Sequence, residues 1–312
     1  MSILTLTMNP CIDKSTRVDN VVAERKLRCE APRYEPGGGG INVSRAIHKL
    51  GGNSTAFYLG GGSMGRMLDL LLDEEGVRRH SMPIQGLTRE NMMVYEKTAE
   101  QQYRFGMPGP EVEKQEWRQC LKKLSSADPP PEYIVASGSL PPGVPKDFYA
   151  QLARLAQQMN SRLILDTTGG PLRMAVEEGV YLIKPNIREL KMLAEEEIDE
   201  ESHQAALAEG IVAKGQCEAI VVSLGAAGAL LVWKEGCERL RAPTVSVKSK
   251  VGAGDSMVGG MALALDRGES LLNAAQFGVA AGAAAVMTPG SELCRKEDTE
   301  RLYRGMSSEE SS

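Results

Sequence analysis

The sequence has no basic excess: 36 lysines and arginines stand against 41 aspartates and glutamates, for a net charge of -5. A nucleic-acid partner is therefore not expected, since binding to a phosphate backbone draws on Lys and Arg clusters. Long apolar runs are missing too. The most apolar stretch, Phe277 to Met287, falls well short of the roughly 20 residues that cross a bilayer. The opening "MSILTLTMNP" has no basic n-region, and its apolar part is too short and too alternating for a signal peptide. No membrane partner and a cytoplasmic location are the expectation. The six cysteines, Cys11, Cys29, Cys120, Cys217, Cys237 and Cys294, include no C-x-x-C pair, which argues against a zinc site or a dense disulfide framework. They read as reduced thiols. Internal repeats are absent, and so is a nucleotide P-loop: Gly210 and Gly215 have the spacing of G-x-x-x-x-G-K-[ST], but Gln216 follows.

What is present is the composition of an ordinary globular protein, 42% hydrophobic and 25% charged over 312 residues. Short apolar runs (Ile3 to Met8, Thr55 to Leu59, Tyr133 to Ser137, Arg162 to Asp166, Tyr181 to Ile183, Ala219 to Ser223) read as strands. Between them, Asn42 to Leu50, Arg66 to Glu75, Lys146 to Met159, Ile187 to Glu195 and the stretch from Asp255 read as helices. Such alternation predicts an α/β fold with a mostly parallel sheet covered on both faces. Two intervals, Asp13 to Tyr34 and Asn91 to Phe105, break the rhythm with strand after strand, and "NMMVYEKTAEQQYRF" reads as a hairpin. They predict a small β-sheet inserted as a lid, formed by about 13–34 and 89–106, over the carboxyl ends of the parallel strands. One domain spanning 1–312 and a disordered tail at 306–312 complete the expected organisation.

Four glycine-rich stretches serve either turn geometry or an anion. In "PGGGGINVSRAI", Gly37, Gly38, Gly39 and Gly40 lead into a helix whose bare N–H groups can cradle a polar ligand. Asn42 is either a cap there or an amide that holds a hydroxyl. Gly60, Gly62 and Gly65 satisfy G-x-G-x-x-G between strand and helix, the setting of a dinucleotide site. The acidic residue that such a site needs about 20 positions on is missing from "RRHSMPIQG". In "VGAGDSMVGG", Gly252, Ala253 and Gly254 can expose N–H groups to a transferring phosphoryl group, with Asp255 as general base or as helix cap. In "KPNIREL", Asn186 and Glu189 have capping-box spacing, and equally can organise Mg²⁺ and its waters with Lys184 close by. Gly225 and Gly228 in "VVSLGAAGALLV" suit a hairpin or the close approach of a nucleotide.

Taken together the motifs resemble the PfkB family of ribokinase-like sugar kinases, over nearly the whole chain from "LTMNPCIDKST" to "GVAAGAAAVMTPGSELC". The likeness is strongest in "KLRCEAPRYEPGGGGINVSRAIHKLGG", "SGSLPPGV", "KPNIREL", "VVSLGAAGAL" and "VGAGDSMVGG", and within the family it is to the ATP-dependent 6-phosphofructokinases. The resemblance implies a ribokinase-like fold with a β lid through which two subunits often pair. It also implies ATP-dependent, Mg²⁺-dependent phosphorylation of fructose 6-phosphate at the 1-hydroxyl. By the same likeness the catalytic base falls on Asp255, the anion hole on Gly252, Ala253 and Gly254, and Mg²⁺ organisation on Asn186 and Glu189. Nucleotide contacts fall on Lys184, Asn186, Ser223, Gly225, Gly228, Ser249 and Val251. Sugar contacts fall on Asp13, Gly37 to Gly40, Asn42 and Ser139.

For the phosphate already on the substrate the sequence offers Lys26, Arg28 and Arg89, in or beside the lid. Thr288, Gly290 and Ser291 lie where some members bind a monovalent cation, although Glu292 follows where a basic residue is more familiar. Lys248 and Lys250 are departures beside the "VGAGD" loop. Rival readings are a kinase for fructose 1-phosphate or tagatose 6-phosphate, whose relatives usually carry a lysine within the glycine run, a dinucleotide-dependent oxidoreductase, and an inactive sugar-binding regulator.

Overall fold

Successive side chains of a buried strand face opposite sides of its sheet, so a strand covered on both faces is apolar throughout. The computed structural model, which describes residues 2–196 and 201–309, follows this over the middle of its central strands, with polar residues at their ends and the buried Thr5 of β1 as the exception. The chain runs through β1 (Ile3–Thr7), β2 (Cys11–Val18), β3 (Arg33–Gly37), α1 (Gly39–Lys49), β4 (Thr55–Gly60), α2 (Gly62–Glu74) and β5 (Arg79–Pro83). β6 (Arg89–Glu96) and β7 (Gln101–Phe105) form a hairpin. Alternation then continues through α3 (Lys114–Ser125), β8 (Tyr133–Ser137), α4 (Phe148–Gln158), β9 (Arg162–Asp166), α5 (Gly169–Glu177), β10 (Val180–Ile183), α6 (Ile187–Ala194), α7 (Glu201–Ala213) and β11 (Cys217–Ser223). β12 (Ala229–Trp233), β13 (Gly236–Leu240), α8 (Ala253–Asp266), α9 (Leu271–Val286) and α10 (Lys296–Glu309) close the chain.

A nine-stranded sheet has the order β13-β12-β11-β10-β9-β8-β1-β4-β5. It is parallel from β11 to β5, with β12 and β13 added antiparallel at one edge. On one face Tyr133, Val135, Ile164, Leu182 and Val221 meet α1, α8 and α9, while on the other Ile134, Ala136, Leu163, Leu165 and Ile220 meet α3 to α7. The second glycine pair of the "VGAGDSMVGG" stretch belongs to this packing. A Cβ on Gly259 would lie 2.9 Å from that of Ala46 in α1, and one on Gly260 2.9 Å from that of Ala281 in α9. The two glycines let α8 sit tightly between its neighbours. Among the described residues no helix is long and apolar enough to cross a membrane.

The smaller sheet has the order β3-β2-β6-β7 and is mixed: β2 and β6 run parallel, setting Cys11 opposite Arg89 and Asp13 opposite Asn91, and the outer pairs are antiparallel. Its strands begin and end slightly outside the intervals read from sequence. Residues 19–32 are irregular rather than a strand. Rich in charge and exposed along its whole length, that segment has no apolar alternation to hold it against a sheet. Residues 306–309, read as part of a disordered tail, continue α10, whose inner side buries Leu302 and sets Tyr303 edge-on to Phe277; residues 310–312 lie outside the described ones.

Candidate active site

Parallel strands deliver the residues at their carboxyl ends to one edge of the sheet. Here β9 ends at Asp166, β10 leads into Lys184, β11 ends at Ser223, and the turn after β8 carries Ser139. Asp166 was not singled out in the sequence, although an acid closing the buried run "RLILD" was a legible signal. Its Oδ1 lies 3.2 Å from Lys184 Nζ, and the lysine is only 6% exposed. Burial pulls the Lys184 pKa down, but Asp166, Glu189 and Asp255 outweigh it and the net shift is upward, so the ammonium stays charged.

Gly252 holds a left-handed φ of 76° at the N-cap of α8, which leaves Asp255 at the third helical position rather than at the cap. The first N–H groups of α8 have no acceptor within the helix. Lys184 sits over them: its Nζ lies 3.6 Å from where a Gly254 Cβ would stand. A negative group above this turn meets helix dipole, bare N–H groups and an ammonium together. Asp255 is part-buried beside it, and Asn42 Nδ2 donates to its Oδ2 at 2.9 Å. Burial, then the nearby Asp166 and Asp13 charges, push its pKa up to about 6 against the opposing pull of Asn42 and Lys184. A carboxylate poised there accepts a proton near neutral pH.

Asn42 comes from the first turn of α1, directly after the glycine run. Each glycine of that run is closely packed: a Cβ on Gly37 would strike the Asp13 carboxylate, one on Gly38 Thr7, one on Gly39 Ser137, and one on Gly40 the Leu6 carbonyl. Asp13 Oδ1 accepts from Asn91 Nδ2 at 3.0 Å and from the Cys11 thiol at 3.2 Å. Burial, then Asp13, hold the Cys11 pKa well up, which keeps it a thiol. Arg89 donates to the carbonyls of Asn9 and Met107, both at 3.0 Å, and Asn9 Nδ2 donates to Ser139 Oγ at 3.2 Å. Thr7 Oγ1, Asn9 Oδ1 and Arg89 Nε are buried here without a partner among the described residues, as in a site shaped for a polar ligand. Thr7, Asn9 and Cys11 lie in the stretch "LTMNPCIDKST", from which only Asp13 was taken as a site residue, and Asn91 lies in a strand that no motif marks. Lys26 and Arg28 are not brought to this group; both are exposed in the irregular segment 19–32.

On the other side of Lys184 the capping box is formed: Glu189 Oε2 accepts from Asn186 N at 2.8 Å, and Asn186 Oδ1 accepts from Glu189 N at 3.0 Å. Burial nevertheless raises the Glu189 pKa. No group of three or more metal-ligating side chains is assembled among the described residues. A half-buried carboxylate and an amide, with Asp166 beyond, suit Mg²⁺, which takes few protein ligands and keeps its waters. Ser223 bridges to Asn186, Gly225 faces open space, and Gly228 is required by its own turn, since a Cβ there would strike the Leu240 carbonyl. Ser249 Oγ donates to the Gly290 carbonyl at 2.8 Å and accepts from Val251 N at 3.2 Å, which ties the loop before α8 to the loop after α9. Lys250 is exposed, and nothing in the structure explains it.

Gly60, Gly62 and Gly65 stand apart from this cleft. Where a pyrophosphate would approach α2, the Gly86 carbonyl fills the space beside Gly61 and the Leu87 side chain that beside Gly62. Gly61 N donates to Thr88 Oγ1 at 3.0 Å, so these glycines serve the packing of the 84–88 loop and not a dinucleotide.

Comparison with known proteins agrees with this geometry. Residues 4–298 match the pfkB family carbohydrate kinases. The ATP-dependent 6-phosphofructokinase isozyme 2 of Mycobacterium tuberculosis is 45% identical over 301 residues, 96% of this chain and 88% of that protein. The crystal structure of phosphofructokinase-2 from Escherichia coli in complex with potassium superposes with a TM-score of 0.94 at 42% identity, covering 98% of this chain and 99% of that one. The same enzyme in complex with fructose-6-phosphate gives 0.92 at 41%, with the same coverage. The α/β architecture with its small second sheet is thus ribokinase-like. With its anion-receptive helix start, its poised carboxylate and its matched length, the chain belongs to the pfkB family of carbohydrate kinases.

Proposed function

We propose that the protein transfers the γ-phosphoryl group of ATP to the 1-hydroxyl of fructose 6-phosphate, giving fructose 1,6-bisphosphate and ADP. The observation that carries this is the Asp255 carboxylate, held by Asn42 at the open first turn of α8. Asp13, the glycines 37 to 40, Asn42 and Ser139 orient the sugar, and Asp255 takes the proton of the 1-hydroxyl as its oxygen bonds to the γ-phosphorus and the bond to ADP breaks. The N–H groups of Gly252, Ala253 and Gly254, with Lys184, stabilise the charge on the phosphoryl group in flight. Asn186, Ser223, Gly225, Gly228, Ser249 and Val251 surround the nucleotide. Glu189 and Asn186 would hold Mg²⁺ largely through water, and when bound it would supply charge neutralisation on the phosphates. Arg89 grips the 6-phosphate, helped by Lys26 and Arg28 once the smaller sheet closes as a lid or meets a second copy.

Pairing of two copies through that sheet belongs to the same proposal, supported by the exposed Val22, Leu27, Met92, Phe105 and Met107 on and around it. So do a cytoplasmic location and a monovalent cation beside residues 288–291, the latter supported by likeness to the potassium complex. A kinase for fructose 1-phosphate or tagatose 6-phosphate is the second reading; the glycine run without a lysine favours fructose 6-phosphate.

A panel of phosphosugars with ATP and Mg²⁺, scored by ADP release, tests the reading. Fructose 6-phosphate is expected to give the highest kcat/KM, and preference for another phosphosugar overturns the substrate. A solution mass of one chain overturns the pairing.

A further inference from the structure

Arg45 lies in the middle of α1 and is 2% exposed, a burial that a guanidinium tolerates only when fully partnered. Glu75, at the end of α2, takes it bidentately: Nη2 to Oε1 is 2.6 Å and Nε to Oε2 is 2.7 Å. Nη1 is left to donate to the Pro36 carbonyl, which opens the glycine run, at 2.9 Å, and to Asn42 Oδ1 at 3.2 Å. Glu35 of β3 stands 3.9 Å from Nη2, and its Oε2 accepts from Ser291 Oγ at 2.8 Å. One buried cation therefore ties together the start of the glycine run, the Asn42 amide and α2.

We propose that Arg45 is a positioning residue for the reaction: by occupying Asn42 Oδ1 it compels Asn42 to present Nδ2 to the Asp255 carboxylate. The inference rests on Asp255 as the base. A guanidinium has donors only, so the Asn42 atom facing it is the oxygen, and the amide nitrogen then faces Asp255. Without Arg45 the amide loses the partner that holds Oδ1 and is no longer fixed in place, which loosens the Nδ2 bond to the carboxylate. A weaker donor stabilises the carboxylate less, so the base holds its proton to higher pH. The other groups that face Asp255 are Cys11 and Asp13 of β2, Asp166 at the end of β9, and Lys184 after β10, and the bonds of Arg45 go to none of them.

The pH profile of kcat/KM for the phosphosugar separates this role from a merely structural one. Arg45→Gln combined with Glu75→Gln removes the cation without stranding Glu75, while Arg33, 3.1 Å from Glu35 Oε1, still partners Glu35; it is expected to move the acid limb upward by about one pH unit. Arg45→Lys keeps a donor-only cation and is expected to return the limb toward that of the parent. Should the double variant lack a cooperative thermal transition, Arg45→Gln alone, whose unpaired Glu75 is part-exposed and reaches solvent, carries the test with a shift in the same direction. A folded variant whose acid limb is unmoved overturns the proposal, as does an equal displacement in Arg45→Lys. Asp255→Asn assayed alongside keeps the two readings apart: near-normal kcat there removes the base itself, whereas its loss beside an unmoved Arg45 limb removes only the positioning.

Discussion

Asn42 Nδ2 lies 2.9 Å from Asp255 Oδ2, and this bond joins the first turn of α1 to the first turn of α8 across 213 positions of sequence. It brings the glycine run, to which the proposed function assigns the sugar, to the helix start to which it assigns the phosphoryl group. A hydroxyl held beside Asn42 is thereby within reach of a carboxylate that can take its proton.

Replacing Asp255 by Asn keeps the shape and the contact with Asn42 while removing the base. The expected result is a fall in kcat of roughly 10²–10⁴, with the KM for ATP nearly unchanged. Steady-state kinetics on both substrates decide it. A near-normal kcat would leave Asp255 as a structural acid of the first helical turn.

With Asp255 as the base, its pKa, pushed up to about 6 mainly by burial, is expected to set the pH dependence of the intact enzyme. The base works only when deprotonated, so kcat/KM is expected to be level above that value and to fall about tenfold per pH unit well below it. The limb should be absent from the residual activity of Asp255→Asn. An acid limb near pH 4, the ordinary range of a carboxyl, counts against this assignment.

Arg89 is anchored by two backbone carbonyls, and its buried Nε is without a partner among the described residues. Arg89→Ala should therefore raise the KM for the phosphosugar by about tenfold or more, the worth of a charged hydrogen bond, and leave the KM for ATP close to the parent value. Equal effects on both substrates would show that the guanidinium only braces Asn9 and Met107.

Gly260 is a packing position between α8 and α9, about one and a half turns beyond Asp255. Gly260→Val pushes a side chain into Ala281 and Gly278 of α9, and overpacking of this kind costs about 1–3 kcal/mol of unfolding free energy. Urea unfolding with an unchanged m-value measures it. A variant as stable as the parent would mean that α8 and α9 separate easily.

Much of the fold was legible because strands buried on both faces leave unbroken apolar runs: "YIVAS" and "RLILD" coincide with β8 and β9. Elements without such a run were missed. α3 and α7, β5 and the edge strand β13 carry mixed patterns that tertiary packing overrides. The irregular segment 19–32 was over-read as strand because charge and β-branching alternate there without a face to bury.

Glycine runs, the "GAGD" turn and the Asn186–Glu189 spacing are local signals, and the sequence by itself determined them: a left-handed turn or a capping box needs only residues a few positions apart. It also determined the alternation that makes a parallel sheet with its ligand edge at the strand ends. Tertiary structure alone decided that Asp255 faces Asn42, that Asp166 pairs with Lys184, that Arg45 is buried between Glu75 and the glycine run, and that Gly60 to Gly65 are closed off by the 84–88 loop. The physical reason is range. Backbone geometry is set by neighbours in sequence, but the partner of a buried charge is whichever group the packed elements bring within about 3 Å of it.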